Sequence, residues 1–142
     1  MAGVLALELP LRGFDGSVYT QVRLVELEWL DTFATVTLLP AIAATALAFV
    51  QAYRWRSRDT VWAAVALALL VSIVAVTVVV NLPINAEQLD WSAAAPPQNW
   101  AQVRDRWQIA HVVRTGAAVA AYACLIIPAA RSRRSARFGR GP

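Results

Sequence analysis

The chain has 142 residues, of which 58% are hydrophobic and 15% are charged. A typical soluble domain has about 25% charged residues, and here the apolar residues form long runs of the kind that cross a bilayer. The net charge is +4 and every basic residue is an arginine. These arginines flank the apolar runs, so the positive-inside rule explains them better than nucleic-acid binding does.

The first apolar segment, residues 1–9, is too short to cross a membrane, because a helical span needs about 20 residues. It also lacks the basic start and the cleavage pattern of a signal peptide. We therefore interpret it as the C-terminal stub of a helix whose beginning is missing. A short re-entrant or interfacial segment is the alternative.

Residues 17–31 predict an amphipathic helix at the membrane surface, after a helix-start signal at Asp15-Gly16-Ser17. Its apolar positions recur at helical spacing: Val18, Val22, Val25, Trp29 and Phe33. The opposite side is polar: Gln21, Arg23, Glu28 and Asp31. Glu26 lies near the apolar stripe, where it is either a solvated carboxylate or a contact for a substrate.

Three membrane spans follow, which predicts an all-α membrane bundle of three full helices, the stub and the surface helix. The spans are expected within helices 17–53, 61–82 and 99–130. Pro40 should kink the first of them. A capping box at Asn99 starts the last helix, whose length of roughly 45 Å exceeds the ~30 Å hydrocarbon core.

Two asparagines, Asn81 and Asn85, stand four residues apart across Pro83. If the helix continues through the proline, both amides face one side. If the helix stops there, Asn85 opens the following loop. In both cases the two amides lie at one face of the membrane.

The charges predict which side of the membrane each segment faces. The loop 54–60 and the tail 131–142 hold eight arginines and one acid, so they are expected in the cytoplasm. Residues 1–130 then form one domain in the cell membrane, and residues 131–142 form a basic disordered tail. The asparagines and the start of the last helix share the outer face.

A stripe of chemically useful side chains runs along the last helix. Its members follow steps of three and four residues: Arg104, Trp107, His111, Arg114 and Ala118. Arg114 lies close to hydrocarbon, and an ionisable residue there normally faces the bundle interior or a partner. Alternatively, Arg114 extends to the interface and His111 bonds a carbonyl structurally. Arg104 should meet an acid such as Glu26, Glu28, Glu87 or Asp90.

A metal or haem site is not expected within one chain, and neither is any other cofactor. His111 is the only histidine, and Cys124 is the only cysteine. These two side chains lie about 220° apart around a helix, so they do not converge. Zinc and haem sites need more ligands than this.

The elements Asn81-x-Pro83-Ile84-Asn85, Trp100, Arg104-x-Arg106-Trp107, His111 and Arg114-Thr115 resemble a family of small integral membrane proteins that includes the fungal anthrone oxygenases. The resemblance covers about residues 80–116. It implies a four-helix membrane bundle and the oxidation of an anthrone to an anthraquinone with dioxygen.

On this resemblance, His111 would deprotonate an oily aromatic substrate, and Arg114 and Asn85 would stabilise the enolate. Trp107, Arg104, Asn81 and Glu26 would contact the substrate. A module that binds membrane lipid or a partner protein without catalysis is the alternative. A small transporter ranks lower, because no span has a charge at its midplane.

Overall fold

The computed structural model describes residues 2–138, and this part of the chain is helical and contains no strand. The predicted all-α bundle is therefore confirmed. Its elements, in chain order, are α1 (Ala2–Glu8), a 3-10 turn (Pro10–Gly13), α2 (Gly16–Arg54), α3 (Thr60–Val76), a π-helical segment (Thr77–Asn81), α4 (Leu82–Leu89) and α5 (Trp100–Phe138).

Helix α2 joins the predicted surface helix and the first span into one rod of 39 residues. The Asp15 side chain caps its start by accepting a hydrogen bond from the Val18 backbone N–H at 3.0 Å. Pro40 lies inside the helix. The turn after α2 contains Arg56 with a φ of 49°, in the left-handed region that favours glycine.

Helices α3 and α4 form one continuous helical run that passes through Pro83 to Leu89. Of the two alternatives for the asparagines, the structure shows the one in which the helix continues through Pro83, because Asn85 lies within the helix. The π-helical segment ends at Asn81, next to the position where proline removes a backbone donor. Both amide side chains are buried.

Helix α5 begins at Trp100, as the capping signal predicts, but it ends at Phe138. The expected end at residues 128–130 is therefore wrong, whereas the disorder expected of the tail stays a prediction. Pro128 lies inside the helix. The end of the predicted tail, residues 139–142, lies outside the described residues.

Within the described residues, three helical stretches are long and apolar enough to cross a membrane: Val36–Arg54, Thr60–Leu89 and Trp100–Pro128. Between α3 and α5 the core consists of Ala66, Leu70 and Ile73 packed against Ala121. Small residues at such a contact let two helices approach closely. The three long helices match the predicted spans in number and order.

The first half of α2 follows the predicted amphipathic pattern only in part. Gln21 and Glu28 of the predicted polar side are exposed, as expected. Val25 and Trp29 of the apolar stripe are 62% and 70% exposed, however, and Arg23 of the polar side is buried. The prediction that Arg23 lies in water and that the apolar stripe is covered is therefore wrong, and Arg23 lies inside the bundle.

Candidate functional site

Six buried side chains from four helices meet at the end of the bundle where the loop between α4 and α5 lies. Each is at most 7% exposed. We call them the Arg23 cluster: Glu8 from α1, Arg23 and Glu26 from α2, Asn85 and Gln88 from α4, and Trp107 from α5. Buried polar groups are stable only when they bond to one another, so these contacts hold the four helices together.

Arg23 is the centre of this cluster. Its Nε donates to Gln88 Oε1 at 2.8 Å, its Nη1 to Glu26 Oε2 at 3.0 Å, and its Nη2 to Asn85 Oδ1 at 2.7 Å. The Nη1 atom also lies 3.8 Å from Glu8 Oε1, which is ion-pair distance but too long for a hydrogen bond. One guanidinium therefore serves two carboxylates and two amides.

Trp107 connects the Arg23 cluster to His111. Its indole Nε1 donates to Asn85 Oδ1 at 2.8 Å, and the Arg23 guanidinium lies 3.9 Å from the ring centroid. The His111 ring stacks on Trp107, with centroids 4.8 Å apart and planes 14° apart. Because Asn85 Oδ1 receives both donors, the orientation of its amide is fixed. The structure thus brings three predicted site residues together.

Arg114 and Asn81 lie deeper in the bundle than Trp107. Arg114 is buried among the helices and does not face lipid. Helices α4 and α5 run antiparallel, and Asn85 contacts Trp107. Asn81 precedes Asn85 by about one helical turn, and His111 follows Trp107 by about one turn. Asn81 and His111 therefore lie at the same depth in the bundle. Asn81 is 1% exposed, and neither polar atom of its amide has a hydrogen-bond partner within residues 2–138.

Arg104 meets an acid, as predicted, but the acid is Asp105, which is not among the four that the prediction names. Both Nε and Nη2 of Arg104 lie 3.0 Å from Asp105 Oδ1. Its guanidinium also lies 4.9 Å from the Trp100 ring centroid. Glu26 is already bonded to Arg23, so the neighbouring carboxylate on α5 takes this role. Arg104 therefore sits beside the Arg23 cluster and outside it.

Glu26 is not solvated, because only 7% of it is exposed. Burial raises the pKa of its carboxyl to about 7, the neighbouring Glu8 adds to the rise, and Arg23 opposes it. Burial also raises the pKa of the Tyr19 hydroxyl, with Glu8 again contributing. The Tyr19 hydroxyl accepts a hydrogen bond from Gln88 Nε2 at 3.3 Å.

A second layer of contacts ties α1 to α5. Gln108 Nε2 donates to the backbone oxygen and to Oε2 of Glu8, both at 3.0 Å. Arg12 Nε donates to Gln108 Oε1 at 2.8 Å, and Arg12 Nη2 pairs with Asp105 at 3.0 Å. The short first helix is thereby attached by polar contacts, and it delivers the Glu8 carboxylate to Arg23.

Comparison with known families gives a match to the anthrone oxygenase family over residues 29–124, about two thirds of the chain. The chain belongs to the anthrone oxygenase family. No curated protein and no solved structure matches it. The matched segment contains Asn81, Asn85, Trp107, His111 and the rest of the α5 stripe. Three members of the Arg23 cluster precede it: Glu8, Arg23 and Glu26.

Two of those three residues, Glu8 and Arg23, are not predicted as site residues from the sequence of this anthrone oxygenase family member, whereas Glu26 is predicted as a substrate contact. The sequence pattern predicts Arg23 on the solvent side of its helix and Glu8 in an apolar stub. A signal was present, since a carboxylate inside an apolar run is rarely left without a function. The step of three between Arg23 and Glu26 also places the two charges on one helix face.

At the opposite end of the bundle a separate cleft of about 380 Å³ opens between α2, α3 and α5. Its lining includes Gln51, Trp62, Cys124 and Pro128, and none of the predicted site residues. Among residues 2–138, no three His, Cys, Asp or Glu side chains group as a metal site would require. The anthrone oxygenase candidate site is therefore the region from the Arg23 cluster to Arg114.

Proposed function

We propose that this protein is an oxygenase that converts a hydrophobic aromatic substrate of the anthrone or phenol type to a quinone with dioxygen. The observation that supports this most is the Asn85–Trp107–His111 chain of contacts, which lies inside the segment matched to the anthrone oxygenase family. In this chain of contacts the imidazole that we assign as the base lies beside an aromatic ring and near an amide, among buried side chains, where an oily substrate is expected.

The reaction balances with dioxygen as the only oxidant. An anthrone methylene loses a proton to give a carbanion that is conjugated with the neighbouring carbonyl. Dioxygen adds to this carbon and forms a C–O bond, and protonation gives a hydroperoxide. Loss of water then breaks the O–O bond and the remaining C–H bond. One methylene and one dioxygen therefore yield one carbonyl and one water.

His111 takes the first proton in this proposal, because a neutral imidazole is a suitable general base at neutral pH. Arg114, three residues along α5, supplies positive charge for the enolate oxygen. Asn85 helps through its amide N–H group, since its oxygen already accepts from Arg23 and Trp107. The placement of Arg114 inside the bundle supports this assignment.

The remaining roles concern substrate binding. Trp107 offers an aromatic face against which a flat substrate stacks. Asn81 offers a buried amide with a donor and an acceptor that no described residue occupies, at the depth of His111. Glu26 orients Arg23 and acts on the substrate through it, whereas Arg104 is paired with Asp105 beside the cluster. Asn81 is therefore better supported as a substrate contact than Arg104 is.

A non-catalytic module that binds lipid headgroups is less well supported. Such a module needs arginines that are open to phosphate groups. Arg23 is 3% exposed and already has a carboxylate and two amides as acceptors. Arg104 is paired with Asp105. Arg23 and Arg104 are therefore already paired, and a lipid headgroup would have to bind exposed arginines instead.

The proposed setting is the cell membrane, with membrane lipid around the spans and the Arg23 cluster at the outer face. The arginines at positions 54, 56 and 58 and the C-terminus then lie in the cytoplasm. A reporter enzyme fused at residue 142 should be active only inside the cell. Activity of the fused reporter outside the cell would contradict this orientation.

Quinone formation by the purified protein tests the function. Wild-type protein in detergent micelles is supplied with an anthrone in air, and the quinone is followed by its absorbance. Spontaneous oxidation of the anthrone is measured in micelles without protein. His111→Ala should lower the protein-dependent rate by about 10²–10⁴-fold, which is the usual contribution of a general base.

Glu28→Gln is the matched control, because Glu28 is exposed on α2 and lies outside the proposed site. It should keep the wild-type rate. A wild-type rate equal to the spontaneous rate for all anthrone and phenol substrates would contradict the proposed function. A full rate in His111→Ala would contradict only the assignment of the base.

A further inference from the structure

The charges of the Arg23 cluster do not balance if every group is in its usual ionisation state. Glu8 is fully buried, Glu26 is 7% exposed, and Arg23 is 3% exposed. Two carboxylates and one guanidinium leave a net charge of −1 among side chains that are at most 7% exposed. Burial of an uncompensated charge is costly, so such a site normally takes up a proton.

The carboxylate oxygens show where that proton resides. Glu26 Oε2 and Glu8 Oε2 each have a donor, Arg23 Nη1 and Gln108 Nε2 respectively. Glu26 Oε1 and Glu8 Oε1 are buried and have no donor from another residue in the described part of the chain. The two carboxyl groups approach the same atom, because Arg23 Nη1 lies 3.0 Å from Glu26 Oε2 and 3.8 Å from Glu8 Oε1. Two carboxyl groups this close together can bond to each other only when one of them is protonated.

We propose that Glu8 and Glu26 share one proton beside Arg23, and that this carboxyl pair is the proton donor of the oxygenase reaction. The sharing of the proton follows from the charge count and the oxygen contacts. The use of the proton rests on the proposed function. The pair joins α1 to α2, so the short first helix contributes a group to the reaction.

The surroundings hold the proton in place. Around the pair, α2 contributes Arg23 and the Tyr19 hydroxyl, α4 contributes Gln88 and Asn85, and α5 contributes Gln108 and Trp107. Arg12 is one step further away, bonded through Gln108. Arg23 is the only cation in contact with Glu26 or Glu8 within residues 2–138. The raised pKa of Glu26 agrees with this arrangement.

The carboxyl pair acts in one step of the reaction, the protonation of the peroxide. His111 takes a proton from the substrate carbon, and dioxygen adds to that carbon to give a peroxide anion. The carboxyl pair gives its proton to the terminal peroxide oxygen and becomes a dianion, and the His111 imidazolium restores it. The carboxyl pair and His111 are then back in their starting protonation states, and the neutral hydroperoxide can lose water.

Infrared spectroscopy of the whole protein in micelles detects the shared proton without any substrate. A protonated carboxyl group has a C=O stretch that an ionised carboxylate lacks. Difference spectra between acidic and alkaline samples of the wild type should show this band lost as the pH rises past 7. Glu26→Gln and Glu8→Gln should each remove the band, and Glu28→Gln should keep it. A wild type without the band at neutral pH overturns the shared proton.

Stability supplies a second readout in case a variant folds poorly. A glutamine resembles a protonated glutamate and can donate to the remaining carboxylate, so each single variant should keep Arg23 paired and remain folded. Glu8→Gln/Glu26→Gln leaves the guanidinium without a carboxylate in the cluster and should lower the unfolding temperature clearly. A double variant as stable as each single variant overturns the charge count.

The use of the proton is tested by the pH dependence of quinone formation. In the wild type the rate should fall as the pair loses its proton above 7. In Glu26→Gln the rate should be at least tenfold lower, and this fall should be absent. An unchanged rate and pH profile in Glu26→Gln overturns the role as donor. If the band is present and no variant or wild type forms quinone, the proposed function fails and the shared proton stands.

Discussion

Replacement of Arg23 with leucine removes the centre of the contacts that join α1, α2, α4 and α5. Three hydrogen bonds of 2.7–3.0 Å are lost, and their acceptors are left in a buried site. Removal of one partner from a buried ion pair typically costs about 3–5 kcal/mol. A whole domain is stable by only about 5–15 kcal/mol. We therefore expect Arg23→Leu to lose about 3–5 kcal/mol of unfolding free energy.

The measurement is equilibrium unfolding in mixed micelles, followed by circular dichroism. Arg106→Leu is the matched control, because Arg106 is exposed on α5 and lies off the stripe. It should change the unfolding free energy by less than about 0.5 kcal/mol. If Arg23→Leu is as stable as Arg106→Leu, the Arg23 guanidinium does not hold the four helices of the cluster together.

Three further predictions concern stability. Gly16→Ala should destabilise the fold by about 1–3 kcal/mol, because a Cβ at Gly16 would lie 2.8 Å from the Trp100 indole nitrogen; calorimetry showing no change contradicts this close approach. Arg56→Gly should stabilise by roughly 0.5–1 kcal/mol, since glycine adopts the left-handed φ of 49° freely, and a lower unfolding midpoint would count against it. The unfolding free energy of the wild type should fall as the pH rises between 4.5 and about 7, because the raised pKa of Glu26 means that the folded state binds the proton more tightly than the unfolded state. An unfolding midpoint that rises with pH through this window would contradict this direction.

The sequence predicted the helices well because their signals are local. Apolar runs, the Asp15 helix start and the Asn99 capping signal each act over a few residues, and the helices begin where they indicate. The end of α5 was wrong because the composition of residues 131–138 gives no clear stop signal. Arginine is a good helix former, so a helix already started at Trp100 continues to Phe138.

The α5 stripe was also predictable, because the period of a helix places Trp107, His111 and Arg114 on one side. Their burial is observed as expected. The facing of α2 was not predictable from its own pattern. In water the apolar side of a helix turns inward, and beside lipid it turns outward. Which rule applies to residues 17–31 depends on contacts with Gln88 and Glu8, which are distant in the sequence.

The source of the new quinone oxygen decides whether this protein is an oxygenase. Wild-type protein is supplied with an anthrone under ¹⁸O-labelled dioxygen, and oxygen uptake and quinone mass are measured in the same sample. We expect one dioxygen consumed for each quinone formed, one labelled oxygen in the new carbonyl, and a protein-dependent rate that His111→Ala largely abolishes. A rate equal to that of protein-free micelles, or a new carbonyl formed with unlabelled oxygen, would contradict oxygenase activity.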